Sequence, residues 1–62
     1  MIEDIIKDTL EDNGVMEAQD LLDAVIEYDV DRADAIDAMN KLYDSGAIKA
    51  WEDEDGTWVA LL

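Results

Sequence analysis

The sequence contains no cysteine, histidine, proline or phenylalanine, and only three glycines. Without cysteine, neither a disulfide nor a thiolate metal site can staple a chain of 62 residues. Without histidine or cysteine there is no recognisable nucleophile–base set, and Ser45 reads as part of a helix stop. No proline, low-complexity segment or repeat divides the chain, so residues 1–62 read as a single domain. Basic residues are also scarce. Lys7, Arg32, Lys41 and Lys49 face eighteen acidic residues, for a net charge of −14. Long apolar runs are absent, none approaching the ~20 residues of a spanning helix. The opening MIEDIIKDTL has neither a basic n-region nor the roughly 7–15-residue apolar core of a secretory signal. The expectation is a soluble, cytoplasmic protein.

What is present is half hydrophobic and regularly spaced, unlike the apolar-poor composition of a disordered chain. A domain of this size buries only ~60% of its unfolded surface, so its stability is marginal. Its charge opposes compaction at low ionic strength. At ~1 M salt the Debye length falls to ~3 Å and most of that penalty disappears.

The stretch Asp31 to Ile48 organises the rest. Ala35, Ile36, Met39, Leu42 and Tyr43 have the spacing of one buried helical face. Asp31 is a candidate N-cap, Asp34 suits the first turn, and Ser45-Gly46 ends the helix. An earlier helix spans 2–12, with Ile2, Ile5, Ile6 and Thr9 on one face and Leu10 on its flank, and Asn13-Gly14 stops it. Val15-Met16 fits a single bridge of extended chain. A second helix spans 17–28, burying Ala18, Leu21, Leu22, Val25 and Ile26, and Val30 plugs the connection to the third. After Gly46 the period changes to two, predicting strands at 48–52 and 57–61. The connecting Asp53-Glu54-Asp55-Gly56 allows two registers, one pairing Asp53 with Trp58 and one pairing Trp51 with Trp58. Either places Ile48, Ala50, Val59 and Leu61 on the core side, with Trp51, Trp58 and Ala60 opposite.

The pair Leu21–Ile26 and Ala35–Tyr43, the stop KLYDSGAI and the hairpin EDEDGTWVAL together resemble the winged helix-turn-helix superfamily over nearly all 62 residues. The nearest shapes are small archaeal regulators of the MarR and PadR groups and the C-terminal winged domain of archaeal replicative helicases. The resemblance implies a mainly α fold, a three-helix bundle plus a C-terminal two-stranded wing. It also implies that the third helix enters the DNA major groove while the wing touches the backbone or the minor groove. The outward face of that helix departs from the pattern. Asp34, Asp37 and Asp44 surround Lys41, Asn40 lies at the edge, and the wing tip is Glu52 to Asp55. Groove readers need basic and amide side chains on bases and phosphates, and these carboxylates repel phosphate.

The excess of Asp over Glu, the scarcity of lysine and the spread of acid along the chain resemble proteins of halophilic archaea. The competing reading is a nucleic-acid mimic, which concentrates its charge on one surface. Among the carboxylates, no pair with divergent environments marks acid–base chemistry, and the expectation is a protein that is not an enzyme and needs no cofactor. The D-x-D-G of the hairpin resembles part of a calcium loop. With Gly56 at position six, however, Trp51 and Leu62 occupy positions that need Asp and Glu, so no specific metal is expected. Trp51 and Trp58 are the candidate partner-binding residues, serving either a protein partner or a homodimer. Arg32, Asn40 and Lys41 are the candidates if DNA is bound instead. Asp37 and Lys41 also have the spacing of a helix-surface ion pair.

Overall fold

The computed structural model describes all 62 residues. Six elements follow one another: α1 (Ile2–Asn13), β1 (Met16–Glu17), α2 (Ala18–Ile26), α3 (Arg32–Ser45), β2 (Ile48–Asp53) and β3 (Gly56–Leu61). The strands form one antiparallel sheet in the order β1-β3-β2. The fold is therefore mixed, with three helices against a three-stranded sheet.

The apolar spacing of each helix is what closes the core. Ile6 and Leu10 of α1 meet Leu21, Leu22 and Val25 of α2, Ala35, Ala38 and Leu42 of α3, and Ile48 and Val59 of the sheet. No polar side chain is buried. Ile6, Leu10, Leu21, Val25 and Val59 are essentially fully enclosed, each worth roughly 1.5–3 kcal/mol of burial. Val30 packs against this cluster as the expected plug.

The junction from α3 to β2 is closed by backbone hydrogen bonds. Gly46 takes the left-handed conformation (φ 82°, ψ 11°). Its N–H donates to the Tyr43 carbonyl at 3.1 Å, and that of Ala47 reaches back to Leu42 at 2.9 Å. This is a Schellman closure, and it satisfies two carbonyls that the helix end leaves open. Two residues later Ile48 enters the core.

Several sequence expectations shift. The buried face of α3 is Ala35, Ala38 and Leu42, with Met39 half-buried, while Ile36 and Tyr43 are 38% and 54% exposed. Ala35, Ala38 and Leu42 form the stripe that joins the core, and at about 100° per residue Ile36 and Tyr43 fall at its rim. Asp31 makes no side-chain cap; only its carbonyl is used, accepting the Ala35 N–H at 2.9 Å. The extended bridge is real but lies one residue later, with Met16 pairing Val59 and Glu17 pairing Trp58. That pairing delays α2 to Ala18 and adds a third strand beyond the expected two-stranded wing. Helix α2 stops at Ile26, and Asp29 (φ 62°) lies in the connection that leads to α3.

Candidate interaction surface

The two-residue alternation of the hairpin puts successive side chains on opposite faces. The register aligns Trp51 with Trp58 and closes at Asp53 opposite Gly56, leaving Glu54-Asp55 as the connection. Of the two registers the sequence allowed, the Trp51–Trp58 pairing is the one adopted. Asp53 and Trp58 still meet, through side chains rather than backbone. The Trp58 Nε1–H donates to Asp53 Oδ1 at 2.9 Å, and the Asp55 N–H donates to the same oxygen at 2.8 Å. The Trp58 bond above all, then the Asp55 amide, holds the Asp53 carboxyl below the ordinary aspartate value of 3.8.

The two tryptophans are not equivalent. Trp58 lies on the central strand, half-buried, with its one polar atom engaged. Trp51 is on the outer strand and 38% exposed. The Lys49 ammonium lies 5.6 Å from its ring centroid, a cation–π contact at an exposed site.

Burial does not follow the expected alternation on either side of the hairpin. Ala50, assigned to the core, is exposed, because β2 is an outer strand whose five residues after Ile48 all face solvent. Ala60, assigned to the solvent face, is 7% exposed, although it is not part of the main cluster. It lies on the central strand of the sheet, opposite Lys49 of β2 and next to the buried Val59.

The DNA-reading candidates do not converge. At about 100° per residue, Asp34, Asp37, Lys41 and Asp44 share one flank of α3, while Arg32, Ile36, Asn40 and Tyr43 lie toward the other. Lys41 Nζ is held 3.2 Å from Asp37 Oδ2, both side chains about two-thirds exposed. Such a pair contributes only a few tenths of a kcal/mol, roughly 0.3–0.5. It nonetheless occupies the one lysine of that face. No three metal-ligating side chains come together, no helix is long and apolar enough to cross a membrane, and the surface has no pocket.

Two exposed features escape sequence reasoning. One is the Ile36/Tyr43 rim of α3, which periodicity alone places inside. The other is the open edge of β2, for which the charges of Lys49, Glu52 and Asp53 along one strand were the available signal. The chain matches no protein-family model, no curated protein and no solved structure.

Proposed function

We propose that this chain is a winged-helix module that carries out no chemistry and acts as an adaptor, gripping another protein through the Trp51 side of its sheet. The winged-helix reading is supported by the element order, with β1 between the first two helices and β3 between β1 and β2. The interaction reading rests on one observation. Trp51 is a large, exposed aromatic beside a half-buried, hydrogen-bonded Trp58, on an otherwise charged hairpin. A fixed aromatic of this kind loses little entropy on contact and is typical of binding hot spots.

Direct DNA binding by α3, as in a transcription regulator using Arg32, Asn40 and Lys41, is the second reading. The exposure of all three side chains favours it; the acidic flank and the Asp37–Lys41 pair weigh against it. An acidic mimic needs a one-sided charge distribution, whereas exposed carboxylates here occur on all three helices and the hairpin tip.

Affinity capture in multimolar salt, with proteins and nucleic acid both identified, tests the choice. The expected result is a protein retained by the native chain and lost with Trp51→Ala, the helices surviving by circular dichroism. Trp58→Ala also weakens capture, but less cleanly, because it releases Asp53. An unchanged partner set with Trp51→Ala counts against the proposal. Sequence-selective retention of duplex DNA, lost with Asn40→Ala or Lys41→Ala, replaces it with the second reading.

A further inference from the structure

Strand β2 has one edge in the sheet and one edge free. The Leu62 N–H donates to the Ala47 carbonyl at 3.2 Å, in line with the hairpin register. Antiparallel hydrogen-bonded pairs alternate, so Ala47, Lys49, Trp51 and Asp53 bond toward β3. The backbone groups of Ala50 and Glu52 therefore point out of the sheet. No turn, loop or cap hydrogen bond of the chain reaches them. Residues 49–53 are all exposed, so no helix or loop covers this edge. An open edge of this length is a template for another strand.

We propose that the occupant is the β2 edge of a second copy, paired antiparallel about a two-fold axis at Trp51, giving one continuous six-stranded sheet. The proposal rests on reading the Trp51 side as a protein-binding surface and names what binds there. Charge complementarity selects both the occupant and the register. Side chains alternate between faces, so symmetric registers differ by steps of two residues. The Trp51-centred register sets Lys49 opposite Asp53 of the second copy, twice, and Trp51 opposite its own counterpart. It sets Ala50 opposite Glu52, so that their outward backbone groups exchange hydrogen bonds. One step toward the tip sets Glu52 against Glu52. One step the other way leaves Lys49 facing a tryptophan, and the next sets Lys49 against Lys49. Only the Trp51-centred register gives each Lys49 a carboxylate within the strand; one step toward the tip, Lys49 falls opposite Asp55 of the connection while Glu52 meets Glu52. The Asp53 carboxylate is already ordered by Trp58 and Asp55.

The net charge of −14 on each copy opposes this contact at low ionic strength and is screened at high ionic strength. Association therefore strengthens with salt, the reverse of what a basic partner gives.

Sedimentation equilibrium in low and multimolar salt tests this, with circular dichroism confirming the fold of each sample. The expected mass moves from 6.9 kDa toward twice that value as salt rises. Lys49→Glu places like charges at both ends of the interface and lowers the association constant severalfold, most at the lowest salt at which the dimer forms. Under oxidation in high salt, Ala50→Cys mixed with Glu52→Cys gives a mixed disulfide, while either alone does not. The native chain has no thiol to interfere. A single-chain mass at every salt overturns the proposal, as does a dimer that ignores Lys49→Glu and forms no mixed disulfide. If the chain stays single but Trp51-dependent capture of another protein persists, only the self-association fails. If capture fails as well, the protein-binding reading falls with it.

Discussion

The indole N–H of Trp58 donates to Asp53 across the hairpin at 2.9 Å, and the same carboxylate oxygen accepts the Asp55 amide at 2.8 Å. One oxygen thus ties the start of the turn to the middle of the returning strand. The consequence is an acidic hairpin tip with a defined shape rather than a loose charged loop.

Replacing Asp53 tests that tie. Asp53→Ala removes both bonds, and the expected outcome is a lower Tm with Trp58 emission shifted toward that of a solvated indole. Asp53→Asn keeps an acceptor oxygen and retains most of the native spectrum. Identical emission and Tm for Asp53→Ala and the native chain would show that the tie contributes nothing.

The same contact has a pH signature. Because folding lowers the Asp53 pKa, its contribution is present above the ordinary value of 3.8 and is lost as pH falls through the lower folded value. Tryptophan emission in high salt should hold steady down to pH 3.8 and change only below it. Asp53→Asn should abolish that step. A step well above 3.8 contradicts the assignment.

The face of α3 is testable by size, with the fully enclosed Leu21 of α2 as the buried reference. Leu21→Ala empties a fully buried site and costs ~2–5 kcal/mol, a large part of the ~3–9 kcal/mol available to a chain this small. Ile36→Ala, at the exposed rim, costs well under ~1 kcal/mol. Ala38→Leu overfills a position only 3% exposed and costs ~1–3 kcal/mol. Urea melts in high salt read all three, and equal losses for Ile36→Ala and Leu21→Ala would mean the rim is buried after all.

At Gly46 the penalty is conformational. A Cβ there meets nothing within 4 Å, but φ of 82° is unfavourable for any L side chain. Gly46→Ala should cost ~1–2 kcal/mol in the same melts. A neutral substitution would mean that the helix stop relaxes without loss.

Charge makes the folding equilibrium salt-dependent. With a net charge of −14, helix content by circular dichroism at neutral pH should rise as salt is added. Equal helicity at low and multimolar salt would show that self-repulsion matters less than packing.

Local signals made much of the fold legible. Asn13-Gly14 and Ser45-Gly46 mark helix ends because glycine there needs no tertiary support, whereas the hairpin turns at Glu54-Asp55 and not at the expected Asp55-Gly56, which leaves Gly56 paired with Asp53. The Asp37–Lys41 pair depends only on helical spacing and is found. Strand β1 was barely visible, since two residues carry no period, and its pairing with Val59 and Trp58 depends on a partner more than forty positions away. The exposure of Ile36 and Tyr43 was hidden because periodicity gives a stripe without saying which side of it touches the other helices. The Trp51 and Trp58 candidates were found by alternation, but not the difference between them.

By itself, the sequence determined where α1 and α3 stop, where the two hairpin strands lie, the charge and the absence of any covalent staple. These follow from backbone sterics, spacing and composition, each acting within a few residues. Only the tertiary structure decided which flank of α3 is buried, that Ala60 rather than Ala50 is enclosed, and that Trp58 is anchored while Trp51 and the β2 edge stay open. Those outcomes depend on which elements lie beside one another, and a strand is enclosed or left free according to whether another strand takes its edge.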